Sequence, residues 1–228
     1  MAQDRECVYC GRRADSREHV PPRLLLEKPY PENLRTLPAC RACNQGFSLD
    51  EQYFLVLLGQ IATSSKLAQK IEPGGVLDRA LTRAPALDER VVSALEVDDD
   101  GRVVIRPEHD RVQRVIAKVA HGLYVLRYRR NPRLRDVEPI AAYPYNLKDQ
   151  RPPDIILGTY SERFRPKRWI HVQPRIFSYV FVRRPGRKHQ LCCIMDFHET
   201  LWGVACLPPP QKAPTSPAQM DLPLHEES

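Results

Sequence analysis

Four cysteines in two C-x-x-C pairs, Cys7/Cys10 and Cys40/Cys43, enclose an acidic residue beside a histidine, Glu18-His19. Each pair offers two thiolates from one tight turn, and two such pairs make the ligand set of a tetrahedral Zn²⁺ site. Four thiolates leave no open coordination position. The zinc is therefore expected to be structural, and hydrolytic metal chemistry needs a second ion. Glu18 and Asn44, the residue after the last cysteine, bring hard oxygen donors suited to Mg²⁺ or Mn²⁺. Adjacent side chains on an extended backbone point to opposite faces, so one of Glu18 and His19 can hold an ion while the other activates water.

These residues need a frame. Cys10 and Cys40 have 29 residues between them, room for a β-hairpin whose two ends the zinc would join. A fragment of ~50 residues buries too little apolar surface to fold unaided, so the metal is expected to stabilise the module itself. Ser48 and Glu51 have capping-box spacing ahead of Phe54, Leu57, Leu58 and Ile61, which predicts a helix over Leu49–Ala62. That helix leads out of the metal module into the rest of the chain.

Beyond it, the stretch from Ser64 to Pro85 reads as short helices and loops. Val91–Val97 and Arg102–Arg106 are β-prone runs around Asp98-Asp99-Asp100-Gly101, a hairpin signal. Val112, Val115, Ile116, Val119 and Leu123 form an apolar stripe that predicts a helix over Glu108–Arg127, with Arg111, Arg114 and Lys118 on its other side. Strands are expected at Arg175–Arg184, Gln190–Phe197 and Leu201–Leu207, and a disordered Pro/Ser/acidic tail after them. The reading is an α+β protein: a zinc module over 1–53, a helical connector over 54–89, a basic domain with an antiparallel sheet over 90–207, and a tail over 208–228.

Charge is distributed unevenly over the 228 residues. Residues 102–188 carry 21 Lys/Arg against 7 Asp/Glu, a net +14 in a chain whose total is +7. Such an excess suits a polyanionic partner, most simply nucleic acid. No apolar run is long enough to span a bilayer, and Met1–Arg5 is not a secretory signal, so the expected compartment is the cytoplasm. There, paired cysteines bind metal more often than they form disulfides. Cys192, Cys193 and Cys206 lie in apolar, strand-like sequence and read as buried small hydrophobes.

Glu18-His19-Val20-Pro21-Pro22, the Asn33-led run into Cys40, and Cys43-Asn44 together resemble the HNH endonuclease family, with its zinc-stapled ββα-metal module. The resemblance spans about Cys7 to Tyr53, and Ser48, Asp50, Glu51, Tyr53 and Phe54 resemble a bacterial subgroup of that family. It implies a metal-dependent endonuclease acting on DNA. His19 would be the general base, Glu18 and Asn44 the ligands of a catalytic Mg²⁺ or Mn²⁺, and Asn33 the acceptor that orients the second ring nitrogen of His19. The chain departs from the pattern in two places. Glu18 stands where Asp is commoner, and the Lys that often follows the final His or Asn is absent.

Phosphate contacts are then expected from Arg23, Arg41, Arg111, Arg114, Lys118, Arg127, Arg129 and Arg130. The alternative reading is a catalytically inactive, zinc-containing nucleic-acid-binding protein. A third is an adaptor whose basic face meets an acidic protein. Salt dependence of binding separates the last two, and turnover separates the first from both.

Overall fold

The computed structural model describes residues 6–64, 73–97, 103–144, 169–184 and 187–208. Its class is α+β. Strands β1 (Ser16–Val20) and β2 (Arg35–Ala39) form an antiparallel hairpin in the register Glu18↔Leu37, His19↔Thr36 and Val20↔Arg35. A short helix α1 (Arg41–Gly46) and a long helix α2 (Ser48–Ser64) follow. Period-two alternation holds on β1: Glu18 and Val20 are buried, and His19 between them is half-buried.

The helix predicted over Leu49–Ala62 is present as α2 and runs slightly further at both ends, but its capping box is not made. The Ser48 hydroxyl donates to the Gln45 carbonyl at 2.8 Å, and the Glu51 carboxylate turns inward to the Lys118 ammonium. Tyr53, Phe54, Leu57, Leu58 and Ile61 are all buried, because helices α3 (Val76–Arg83), α4 (Pro85–Val92) and α5 (His109–Tyr128) surround α2.

One β expectation shortens. Val91 and Val92 end helix α4 instead of opening a strand. Pro85 starts that helix at its first turn, and Val91 is fully buried. Only Leu95–Val97 (β3) remains extended, paired antiparallel with Val103–Ile105 (β4). The expected Asp-Gly turn between them lies outside the described residues, as does the tail after Pro208.

The helix predicted over Glu108–Arg127 is α5, and its apolar stripe is buried as expected. It packs on a five-stranded antiparallel sheet in the order β5-β9-β8-β7-β6: Glu138–Pro144, Leu201–Leu207, Arg187–Phe197, Phe177–Arg184 and Ile170–Gln173. Contact is close at Gly203, where a Cβ would stand 3.1 Å from Ile116. One apolar cluster takes in Val8 and Val20 of the N-terminal segment, Phe54 and Leu58 of α2, Val119 and Leu123 of α5, and Phe197 and Leu207 of the sheet. Phe54 and Phe197 meet edge-to-face at 5.0 Å between ring centroids within it.

The sheet's opposite face holds a second cluster of Val180, Cys192, Ile194, Val204 and Cys206. Here the reading of the cysteines is corrected. Cys192 and Cys206 sit directly opposite each other on β8 and β9 and are joined as a disulfide, whereas Cys193 points to the main core as a free, buried thiol. Sequence spacing alone does not reveal a pairing that the strand register creates.

Candidate metal centre and the adjoining hairpin

The first knuckle is a tight turn closed by backbone bonds. The Gly11 amide donates to the Cys7 carbonyl at 2.8 Å and the Cys7 amide to the Arg12 carbonyl at 2.6 Å. Gly11 adopts φ +75°, a conformation glycine takes without a Cβ clash. The second knuckle is the start of α1, where Cys40 is the N-cap and its Sγ accepts from the Cys43 amide at 3.4 Å. The Val8 amide donates to the Pro38 carbonyl at 3.0 Å and joins the two knuckles.

All four Sγ atoms lie within 4.8 Å of one another, with Cys10 and Cys40 3.7 Å apart. A tetrahedron with Zn–S bonds of 2.3 Å has edges of about 3.8 Å, so the donor set fits Zn²⁺ in number, type and spacing. Hydrogen bonding from Arg12 lowers the Cys10 thiol to about 6, which favours the thiolate. Burial and the neighbouring thiols push Cys43 the other way. A bound cation would resolve that conflict by deprotonating all four. Among the described residues this is the one group of three or more His, Cys, Asp or Glu side chains with metal-site spacing.

The hairpin sends its two chemical residues to opposite faces. Glu18 points inward, 3.1 Å from the Lys118 ammonium, which also binds Glu51 and lies 4.8 Å from the centroid of the Phe47 ring. Lys118 is 1% exposed, Glu18 5% and Glu51 7%, so the three groups form a desolvated ionic cluster between hairpin, α2 and α5. Burial raises both carboxyl groups towards protonation, and Lys118 opposes that rise. Tyr9 stays a neutral phenol beside them, pushed up by burial and then by Glu18 and Glu51.

His19 faces outward. Burial and the positive charges of Arg23 and Arg17 lower its pKa, which leaves the imidazole neutral at pH 7. Arg17 is braced across the hairpin, its Nε donating to Thr36 Oγ1 at 2.8 Å. Arg23 stacks over Tyr30 at 5.2 Å. His19 is thus a half-buried base whose proton affinity is lowered by burial and by the charges of Arg23 and Arg17.

The remaining candidates fall in several places. Asn44 does not meet Glu18: its amide nitrogen donates to Ser16 Oγ at 2.9 Å and to the Arg17 carbonyl at 3.3 Å, tying α1 to β1. Asn33 is exposed in the loop before β2, and no hydrogen bond joins it to His19 among the described residues. Arg41 is exposed, with its backbone amide bound to Asp15. Arg111 and Arg114 pair with the buried Asp50 at 3.7 and 3.1 Å, and Arg111 also binds Glu108. Lys118, expected on the charged side of α5, is interior because the hairpin packs on that side. Arg127 and Arg129 are exposed and Arg130 partly so at the C-terminal end of α5, where Arg129 is the left-handed cap.

The Glu51–Lys118 pair and Gly122 escaped the sequence reading. A lysine adjacent to the apolar stripe was the only signal, and it does not say which carboxylate answers it. No family model, curated protein or solved structure matches this chain. Among the described residues no helix is long and apolar enough to cross a membrane.

Proposed function

We propose that this chain is an HNH-type phosphodiester hydrolase acting on DNA, with His19 as its general base. The observation that carries the reading is the neutral, half-buried imidazole of His19 flanked by Arg17 and Arg23 on a hairpin whose ends meet at a Cys₄ cluster. A base poised below neutral pH accepts a proton from water. The two guanidinium groups favour a phosphate at the same place and stabilise charge that develops on it. Zn²⁺ on Cys7, Cys10, Cys40 and Cys43 would have the structural role of holding the hairpin to α1.

A catalytic Mg²⁺ or Mn²⁺ on Glu18 and Asn44 does not fit the arrangement. Glu18 is committed to Lys118 in the interior, and Asn44 to Ser16 and the Arg17 backbone. No step is therefore assigned to that ion. The same observation favours a second reading, a zinc-stapled nucleic-acid-binding protein that does not cleave.

Plasmid nicking by the zinc-loaded full chain, with and without divalent metal, decides between the two. On the hydrolase reading His19→Ala lowers the rate by about 10²–10⁴-fold and leaves zinc content and DNA affinity unchanged. Neutralising Arg127, Arg129 and Arg130 together weakens duplex binding across sequences and flattens its salt dependence. Binding without turnover under any metal condition selects the second reading. An unchanged rate in His19→Ala removes the base assignment.

A further inference from the structure

We propose that Lys118 is the resident cation of the Glu18–Glu51 carboxylate pair, a tethered ammonium where the metal-dependent reading needs a divalent ion, and that through it α5 positions His19. The cage around the nitrogen is built for a monovalent group. Two carboxylates approach it, and its remaining side faces the Phe47 ring. An aromatic face attracts an ammonium through its quadrupole but supplies no oxygen ligand. Mg²⁺ by contrast requires near-octahedral oxygen coordination at 2.0–2.1 Å and parts reluctantly with its water.

Burial adds to this. With Lys118, Glu18 and Glu51 all under a tenth exposed, a hydrated ion at this place would have to displace packed groups. An ammonium carried on α5 is already in place and needs no free ion in solution. Burial raises both carboxyl groups, and the Lys118 ammonium between them opposes that rise.

The positioning follows from where α5 touches β1. Lys118 and Gly122 are four residues apart, hence on one face of the helix. Lys118 takes Glu18, and Gly122 lies against Val20, whose methyl carbons would be 2.9 and 3.0 Å from a Cβ there. The two residues that flank His19 are thus both held from α5. With Glu18 and Val20 anchored inward, strand alternation turns His19 out, beside Arg17 and Arg23. Lys118 is in this sense a positioning residue. The cation assignment stands on its own geometry, and only the purpose given to His19 rests on the hydrolase reading.

The test uses nuclear magnetic resonance on the zinc-loaded full chain, with Mn²⁺ as a paramagnetic probe. In the wild type the amide signals of Glu18, Glu51 and Lys118 stay sharp as Mn²⁺ is added. Broadening centred on Glu18 and Glu51 would overturn the proposal. In Lys118→Met, amide hydrogen exchange across residues 16–20 rises tenfold or more while zinc stays bound, and unchanged exchange refutes the positioning role. Should that variant not fold, Lys118→Met combined with Glu18→Gln and Glu51→Gln removes all three charges of the cluster and is read the same way. Neither measurement depends on cleavage, so a protein that never cuts DNA fails the hydrolase reading without touching this one.

Discussion

Gly122 of α5 meets the side chain of Val20 on β1 with no space for a methyl group between them: a Cβ at 122 would stand 2.9 Å from one Val20 methyl carbon and 3.0 Å from the other. Helix and strand approach this closely only because one of them lacks a side chain. One position back from Val20 is His19, so the contact bears directly on how the hairpin is held.

Gly122→Ala is therefore expected to destabilise the chain by about 1–3 kcal/mol through overpacking, although alanine is the better helix former. Urea titration of the zinc-loaded protein measures it, with zinc content unchanged. Gly46→Ala is the control. Nothing lies within 4 Å of a Cβ there and its φ is not positive, so the substitution should be neutral or slightly stabilising. Equal losses in the two variants would show that α5 does not rest on β1 at this point.

The Cys₄ cluster predicts about one tightly held Zn²⁺ per chain. Cys40→Ser should release it and expose residues 7–53 to hydrogen exchange before the sheet, because Cys40 is both a candidate ligand and the N-cap of α1. The five-stranded sheet has a second apolar cluster on its far face and no cysteine in the four-cysteine cluster, so its protection should fall less. Metal-free protein with full protection over 7–53 would contradict the assignment.

His198 supplies a pH prediction. Its ring Nε2–H donates to the Leu25 carbonyl at 3.0 Å, and burial lowers its pKa to about 4. The unfolded chain, with an ordinary histidine near 6.5, then binds the proton more readily than the folded one. Stability from this group is complete above about pH 6.5 and declines as pH falls towards 4, by at most about 3 kcal/mol. Glu18 and Glu51, whose folded pKa values are raised, act in the opposite sense over the acid range. Comparison with His198→Gln isolates the histidine. The difference in urea midpoint between the two proteins should change between pH 7 and pH 4.5, and a constant difference would show that His198 does not titrate in this way.

Features that repeat or pair locally are legible along the chain. The C-x-x-C spacing marks the four-cysteine cluster, the apolar stripe marks α5, and alternation on β1 separates Glu18 from His19. Each of these is set by geometry within one turn, one helix or one strand, so reading along the chain is enough.

The tertiary structure alone decided what each element meets on its second face. Lys118 looked like one more cation on the charged side of α5, yet that side is where the hairpin packs, and Glu51, its partner 67 positions earlier, was assigned to a helix cap. Val91 has strand propensity but lies under α2 as the end of a helix that Pro85 begins. Cys192 and Cys206 became partners through the β8–β9 register. For Lys118 and Val91 the burial comes from residues distant in sequence, and the packing they bring outweighs the local preference; for the two cysteines the exact strand register decides.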